Sequence, residues 1–398
     1  MRYNFFNYYL KYNITENFIK EYEKYYDTNV HSVYIFLDLQ NCLKAQFYDD
    51  VILNMYQLAK YKEKSMPVVY DVLMFISRTR EWFDSKNIKS FFIFYWDEGA
   101  SLYHRHIDKT YKENRLITKS NLPIVKFESG KSVLKFQKRL LNEIAGNLKN
   151  VKTILSKDID SDFVPYFVLK ENPNLLEDKG IMNLLFTTDH DMYQATKLGT
   201  NVFQYFKTNK DSIFLSSKMI LSALLDKPIS DISQNNWFND IFTLGGCRGD
   251  NISSVWKRCG WKTIYDMFLK LKDVGIDFEE HRKKVMCGEQ TQIEVKNIKN
   301  ISVIKKISEF NDIDSGLQTR WKNNIFLMDF EIMYKYFKND IKNSNINLTW
   351  EFKKGIIEKT KDAINFNNKL KYDELLEIMD NYHDNEKLEN ICTNLCEV

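Results

Sequence analysis

Five short, almost purely apolar runs lie along the first half of the chain, separated by stretches in which apolar residues recur every three or four positions. Runs of this length and composition are typical of strands that are buried on both faces of a parallel sheet. The intervening spacing predicts helices that cover the sheet. We therefore predict an α/β fold with a parallel sheet. The apolar runs are His31–Leu37, Ile88–Trp96, Val151–Leu155, Ile181–Phe186 and Asn201–Tyr205.

Aspartates follow three of these runs. Asp38 comes after the first and Asp97 after the second, and the fourth leads through two threonines to Asp189 and Asp191. The carboxyl ends of parallel strands meet at one edge of a sheet, which is where ligands bind in open α/β folds. Carboxylates that lie close together repel one another, so they need a cation or a shared proton. The alternative is that each aspartate caps the following helix, a role for which Thr188 or Asp189 is well suited.

Three more aspartates, Asp158, Asp160 and Asp162, follow the run Val151–Leu155. Three carboxylates within five residues are more than one helix cap requires. The apolar stretch behind them predicts a helix with Pro165 in its first turn. A further strand end therefore adds acidic residues to the same predicted edge.

Two stretches are candidates for binding phosphates. Basic and aromatic residues alternate between Glu98 and Asn150, a mixture that suits a surface for phosphates and bases; a solvated helical face is the alternative. The glycines of Thr243–Phe268 predict a turn that lets the backbone approach a phosphate; a plain loop between helices is the alternative. Basic residues of these stretches include Arg105, Lys109, Lys112 and Arg115 in the first and Lys257, Arg258 and Lys262 in the second.

Bulk composition narrows the class of protein. The 398 residues carry a net charge of +3, so any affinity for nucleic acid must come from local basic patches. The six cysteines form no C-x-x-C pair, which favours reduced thiols in a cytosol-like compartment. No stretch approaches the ~20 apolar residues of a membrane span, and no signal-peptide pattern is present. We expect a cytoplasmic protein that does not contact a membrane.

The order of these motifs resembles that of the flap endonuclease and 5′-nuclease family, over about Val33–Phe268. The resemblance is strongest to bacteriophage-type 5′-nucleases, among them the RNase H-like phage nucleases, and to the 5′-nuclease domain of bacterial DNA polymerase I. Its most specific part is a strand-ending aspartate followed at a fixed distance by Y-K-x-N-R. Here these are Asp97 and Tyr111-Lys112-Glu113-Asn114-Arg115. The remaining matches are Asp38, Asp158-Ile159-Asp160, Thr188-Asp189-His190-Asp191, Gly249-Asp250-Asn251-Ile252 and Gly260-Trp261-Lys262-Thr263.

The resemblance implies a PIN-like parallel-sheet nuclease core flanked by helices, with a basic arch and a helix-three-turn-helix DNA-binding region. It implies two Mg²⁺ ions, for which Mn²⁺ can substitute. Lys112 and Arg115, one helical turn apart, are expected to face the scissile phosphate and to be catalytic together with Asp38 and Asp97. The implied metal ligands are Asp38, Asp97, Asp158 and Asp160, mainly for one ion, and Asp189, Asp191 and Asp250, mainly for the other. The implied DNA-binding residues are Arg105, Tyr111, Lys112, Arg115, Lys257, Arg258 and Lys262.

The implied activity is that of a metal-dependent 5′-3′ exonuclease and flap endonuclease that hydrolyses phosphodiesters in DNA replication. The resemblance to phage members implies a viral origin. The implied partners are branched or 5′-flap DNA, RNA–DNA primer hybrids, and a single-strand-binding protein or polymerase. The protein is expected to be a monomer in the cytoplasm of the cell, or of the host cell if viral. The boundaries expected are a helical extension at 1–30, a nuclease core at 31–235 with its arch at 100–150, the helix-three-turn-helix and following helices at 236–345, and C-terminal helices at 346–398.

Two departures from the family pattern support a different function. Cys247 stands three residues before Asp250, where the family usually has an acid. The hairpin reads Arg258-Cys259-Gly260 in place of glycine-isoleucine-glycine. Both changes favour a weakened or inactive relative that binds branched DNA as a replication accessory. A ribonuclease toxin of the related PIN fold is a third class, disfavoured because such chains are usually short and lack the DNA-gripping hairpin.

Overall fold

The structure is a computed structural model that describes about seven tenths of the chain. Backbone contacts divide it into two compact units, one drawn from residues 1–100, 119–217 and 356–398 and the other from residues 101–118 and 218–355. Side chains are described throughout except at 67–71, 74, 207 and 235–236. The described residues are 10–39, 67–97, 101–113, 141–142, 144–145, 148–156, 159–207, 212–229, 235–276, 278–296, 298–342 and 348–366.

A six-stranded sheet forms the centre of the first unit, in the order β3-β2-β1-β4-β5-β6. The first five strands along the chain are parallel to one another, and β6 is antiparallel to β5. The predicted α/β fold with a parallel sheet is confirmed, and each of the five apolar runs forms a strand. The sixth strand, which has only four residues, was not predicted. The strands are β1 Ser32–Asp38, β2 Lys89–Asp97, β3 Val151–Ser156, β4 Ile181–Phe186, β5 Val202–Lys207 and β6 Ser212–Leu215.

Helices occupy most of the remaining described residues. Apolar residues at three- and four-residue spacing over Ile52–Trp82 predict one or two helices. A helix is present from Pro67 onward, and the earlier part of this stretch lies outside the described residues. None of the described helices is long and apolar enough to cross a membrane. In chain order they are α1 Tyr12–Tyr26, α2 Pro67–Asp84, α3 Leu102–Ile107, α4 Val164–Glu171, α5 Asn174–Glu177, α6 Tyr193–Thr196, α7 Ser217–Leu225, α8 Asn235–Gly245, α9 Trp261–Lys272, α10 Phe278–Cys287, α11 Ile301–Asn311, α12 Leu317–Met328, α13 Phe330–Phe337 and α14 Trp350–Lys361.

The middle strands of the sheet are covered on both faces. Every residue of β1 and of β4 is buried, which explains why their sequences do not alternate between apolar and polar residues. Helix α1 packs against the sheet through Phe18, whose ring centroid lies 4.9 Å from that of Phe203 on β5 and 4.2 Å from that of Phe214 on β6. The sheet therefore holds the residues at the ends of its strands in defined positions.

The second unit is a packed group of helices with a buried ion triad. Arg282 donates to Asp240 at 2.5 Å and also to Asp329, and all three side chains are almost fully buried. Burial by itself lowers the pKa of Arg282, but the two carboxylates outweigh it and raise the pKa above the ordinary value. Because Asp240 lies on α8, the triad fixes the helix that leads into the glycine-containing loop.

Candidate functional site

Carboxylates collect at the carboxyl edge of the sheet in the first unit. Asp38 is the last residue of β1 and Asp97 is the last residue of β2. Asp160 follows the end of β3 and Asp189 follows the end of β4. Since β3, β2, β1 and β4 are consecutive neighbours in the sheet, these acids come from four adjacent strand ends. Asp158, which was predicted as part of the same group, lies outside the described residues.

Hydrogen bonds between neighbouring strand ends hold two of these carboxylates. Asp38 is 3% exposed, and its Oδ2 accepts from the Thr187 hydroxyl at 3.2 Å, in the loop after β4. The Oδ1 atom of Asp97 accepts from the backbone N–H of Ser161 at 2.5 Å, in the segment after β3. A carboxylate is expensive to bury unless hydrogen bonds or a cation compensate its charge. The edge therefore concentrates negative charge in fixed positions.

The segment after β4 forms a compact group of three possible ligands. One ligand atom from each of Asp189, His190 and Asp191 lies within 4.8 Å of the others, and all three residues are half-buried. Oδ1 of Asp189 also accepts from the Asp191 backbone N–H at 2.9 Å, so Asp189 caps the short 3₁₀ helix His190–Met192. The cap and a metal site are compatible, because a carboxylate has two oxygens that can each accept or coordinate.

Three residues that support this edge were missed from the sequence. The sequence pattern assigned no role to His190, yet its Nε2 lies 3.6 Å from Oδ1 of Asp191. Thr187 bonds to Asp38 and its hydroxyl also accepts from the Asp189 backbone N–H at 3.1 Å. Gln204 lies on β5, 2% exposed, and donates to this loop. The only signal for Gln204 was its polarity within the otherwise apolar segment Val202–Phe206.

The donor set at this edge fits a hard divalent cation. Apart from the His190 imidazole, the side chains that face it as candidate ligands are carboxylates, which Mg²⁺ and Mn²⁺ prefer. The buried position of Asp38 and of Asp160, 3% and 4% exposed, is of the kind that a bound cation stabilises. In this respect the residues present agree with the implied metal.

In the second unit, Lys112 lies in a turn and not in the predicted helix. Its φ is +57°, a left-handed conformation, and the turn is closed by Asp108, whose Oδ1 accepts from the Thr110 N–H at 2.8 Å. The N–H of Lys112 donates to the Asp250 carbonyl at 2.9 Å, and its Nζ lies 3.9 Å from Oδ1 of Asp250. The contact with Asp250 therefore holds Lys112 in a turn, although the spacing of Lys112 and Arg115 predicted a helix. Arg115 and most of the predicted arch lie outside the described residues.

Tyr111 is packed inside the second unit. It is 6% exposed, and its ring stacks on that of His104 with the centroids 4.5 Å apart. The ring therefore supports the Lys112 turn from inside the unit, and the DNA contact implied for Tyr111 stays a prediction. Arg105, on α3, is exposed, as a residue that contacts DNA must be.

The glycine-containing loop joins α8 to α9. Gly246 has a φ of +66°, and a Cβ at that position would lie 2.5 Å from the Ile252 carbonyl oxygen, so only glycine fits. Cys247 pairs with Ile252 across the loop, and its Sγ lies 3.6 Å from Oδ2 of Asp250. The three basic residues predicted to bind DNA, Lys257, Arg258 and Lys262, are all exposed.

The fold is that of a phage-type 5′-nuclease. A bacteriophage T5 protein co-crystallised with metal ions aligns with a TM-score of 0.52 and 15% identity over 87% of this chain and 99% of that chain. The bacteriophage T5 flap endonuclease, in a pseudo-enzyme–product complex with DNA and metal ions, and the T5 5′-exonuclease with bound zinc each align with a TM-score of 0.50 and 16% identity over 83% of this chain and 99% of theirs.

These comparisons confirm the resemblance noted from the sequence at the level of the fold. No family model matches the chain, and no curated protein matches it. At such low identity the structural likeness establishes the architecture alone, so the activity has to be argued from the side chains.

Proposed function

We propose that the protein is a metal-dependent nuclease that acts as a 5′-3′ exonuclease and flap endonuclease. The observation that carries the proposal is the set of acids at four adjacent strand ends, Asp38, Asp97, Asp160 and Asp189, on a 5′-nuclease fold. Its substrates would be 5′-flap DNA and RNA–DNA primer hybrids, and its setting would be DNA replication, as the resemblance to phage members implies.

Hydrolysis of a phosphodiester requires an activated water and compensation of the charge that develops on the phosphate. A pair of divalent ions, when bound, supplies both. The first unit would hold them through Asp38, Asp97 and Asp160 for one ion and Asp189 with Asp191 for the other. Asp158 and Asp250 remain ligands predicted from the sequence. Mg²⁺ is the expected ion because oxygen donors dominate, and Mn²⁺ should replace it.

Lys112 is proposed to stabilise the phosphate. Its side chain is 19% exposed and its ammonium group lies 3.9 Å from an Asp250 oxygen, so it is a partly desolvated cation in a defined position. A cation that is fixed before the reaction stabilises developing charge without reorganisation. Arg115 is proposed for the same role on the basis of the sequence motif.

The exposed basic residues of the α8–α9 loop are proposed to bind the DNA backbone. Lys257 and Arg258 lie in the loop, and Lys262 lies in the first turn of α9, where it pairs with Asp226 at 3.2 Å. An exposed pair of this kind is weak, so Lys262 can exchange Asp226 for a phosphate at little cost.

A second candidate function is binding of branched DNA without cleavage. Cys247 favours it, because a thiol in the position of the family's usual acid is a poor ligand for Mg²⁺. The carboxylates of the first unit favour the catalytic function, since a protein that only binds DNA gains nothing from acids, two of them buried, at four adjacent strand ends.

The deciding experiment uses a 5′-labelled flap substrate with Mg²⁺, with Mn²⁺ and with EDTA. We expect cleavage near the branch with either ion and none with EDTA. The matched control is the variant Asp189→Asn with Asp191→Asn, purified in parallel, which separates the protein's own activity from a contaminating nuclease. Tight binding of the flap without cleavage under any metal would replace the nuclease by the accessory function.

A further inference from the structure

A glutamine is buried in the middle of a strand that is otherwise apolar. Gln204 lies on β5 with 2% of its surface exposed, between Phe203 and Tyr205. Burial of an amide is costly unless its polar atoms are hydrogen-bonded. A glutamine in a buried strand therefore needs hydrogen-bond partners that compensate the cost of burying its amide.

The amide nitrogen of Gln204 bonds to the loop that carries the D-x-D acids. Its Nε2 donates to the Thr187 carbonyl at 2.8 Å and to the Asp189 carbonyl at 2.9 Å. These two donations use both hydrogens of the amide, which fixes the orientation of the group. One side chain thus holds the loop at two points on either side of Thr188.

Thr187 extends this connection to the first strand. Its side chain is fully buried, its hydroxyl donates to Asp38 Oδ2 at 3.2 Å, and the same oxygen accepts from the Asp189 N–H at 3.1 Å. Gln204 on β5, the loop after β4 and Asp38 on β1 are therefore linked by consecutive hydrogen bonds. A shift of the loop would move Asp189 relative to Asp38.

We propose that Gln204 is a positioning residue that sets the affinity of the carboxylate edge for divalent ions by fixing Asp189 and Asp191 relative to Asp38. The inference rests on the proposed function, because it assumes that these acids bind metal. Residues that orient metal ligands from outside the coordination sphere typically account for 10–100-fold in metal affinity or activity. Gln204 would be such a residue acting through the backbone.

The test compares two buried amides. Gln204→Met keeps the size and removes the donor. The matched control is Asn201→Leu, because Asn201 is also fully buried and its Nδ2 lies 2.8–3.1 Å from three carbonyl oxygens, those of Leu175, Asp178 and Ile181, around the opposite end of β4. Both variants lose a buried amide that bonds to neighbouring backbone, but only Gln204 bonds to the loop that carries Asp189 and Asp191.

The readouts are Mn²⁺ binding to the DNA-free protein, followed by electron paramagnetic resonance, and the Mn²⁺ concentration that gives half-maximal single-turnover cleavage of the flap. We expect Gln204→Met to need about 10–100-fold more Mn²⁺ in both measurements. Asn201→Leu should lower the melting temperature yet leave both metal readouts as in the wild type. Wild-type Mn²⁺ affinity in Gln204→Met, or an equal loss in Asn201→Leu, would overturn the proposal.

A second pair of variants covers the case in which Gln204→Met does not fold. Thr187→Val removes the hydroxyl that joins the loop to Asp38, and Thr187→Ser keeps it. We expect weaker Mn²⁺ binding with valine and near-normal binding with serine. If both bind as the wild type does, the loop does not need this connection and the inference fails.

Failure of the inference can be told apart from failure of the proposed function. If the wild-type protein binds Mn²⁺ and cuts the flap while the Gln204 and Thr187 variants match it, only the positioning role is wrong. If the wild type neither binds Mn²⁺ nor cuts the flap, the proposed function is wrong and the positioning role falls with it.

Discussion

The carboxylate edge of the first unit and the Lys112–Asp250 contact of the second unit are built in different ways. At the edge, Asp38 and Asp97 are themselves strand residues, and neighbouring segments donate hydrogen bonds to them. In the second unit, Lys112 lies in a turn with a φ of +57°, and Asp250 ends the short 3₁₀ helix Arg248–Asp250, whose C-cap Asn251 has a φ of +63°. The first arrangement follows from the sheet, whereas the second depends on a contact between a turn and the end of a 3₁₀ helix.

This difference suggests a division of labour. Metal ions tolerate little error in the positions of their ligands, so acids on strand ends suit them. Contacts with a DNA backbone tolerate more variation, because charge attraction is long-ranged and not directional. We therefore expect the largest losses from changes at the sheet edge and smaller losses from changes in the second unit.

The strongest test of this comparison is Asp189→Asn combined with Asp191→Asn. Loss of both charges should abolish cleavage, by about a thousandfold or more, because a divalent ion contributes several kcal/mol to stabilisation of the transition state. DNA affinity in the presence of EDTA should stay close to that of the wild type, since basic surfaces supply most of it. Single-turnover cleavage and filter binding measure the two quantities.

The control for this double variant is Asp178→Asn, at the opposite end of β4. Asp178 accepts from the Gly180 N–H at 2.8 Å and lies 3.2 Å from His31, away from the carboxyl edge. It should cut flap DNA at the parent rate. Cleavage by the double variant at that same rate would show that the sheet edge is not the catalytic centre.

A test of the second unit is Lys112→Ala, alone and with Arg115→Ala. We expect a loss of about 10²–10³-fold in the single-turnover rate, the size found when a preorganised group that stabilises developing charge is removed. Substrate affinity should fall much less, because the interaction strengthens in the transition state. The control is Lys109→Ala, an exposed lysine in the same segment. A loss confined to affinity would place Lys112 on a remote phosphate.

The sequence predicted the sheet edge better than the second unit for a physical reason. Strands β1, β2 and β4 are apolar because both faces are covered, so burial left a direct pattern in the sequence, and the aspartates that end β1 and β2 marked the edge. The turn at Lys112 has no such pattern in the sequence, because its left-handed conformation depends on a hydrogen bond to Asp250, which is distant in the chain. Helical spacing in the local sequence was overruled by this tertiary contact.

The supporting residues were hidden for a related reason. Thr187 bonds to Asp38 on β1, and Gln204 on β5 bonds to the loop after β4. These segments are distant in the chain and come together only in the folded sheet. Tyr111 is implied as a DNA-binding residue by the family motif, yet its ring stacks on that of His104 inside the protein. The motif alone does not reveal this internal partner.

The DNA contact of the loop is tested by changing Lys257, Arg258 and Lys262 together to Ala. Binding should weaken for every DNA sequence, and the slope of log K against log salt should flatten by roughly one unit for each phosphate contact that is lost. The single-turnover rate at saturating DNA should change little, in contrast to Lys112→Ala. The control is Lys283→Ala with Lys284→Ala, two lysines of α10 that pair with Glu279 and Glu280. An unchanged salt slope in the triple variant would show that this loop does not contact DNA.

The smallest expected effect comes from Cys247→Asp, which restores the acid of the family pattern. Because Sγ of Cys247 lies 3.6 Å from Oδ2 of Asp250, the new carboxylate would stand beside an existing one. Two carboxylates this close repel unless a cation lies near them. We therefore expect the variant to melt at a lower temperature in EDTA, to regain stability in Mg²⁺, and to need a few-fold less Mg²⁺ for half-maximal cleavage.

Cys247→Asn is the matched control for this variant, because asparagine has the size of aspartate and no charge. If aspartate and asparagine behave alike in EDTA and in Mg²⁺, Cys247 serves only packing, and cleavage that appears only with aspartate would favour the accessory function for the natural protein.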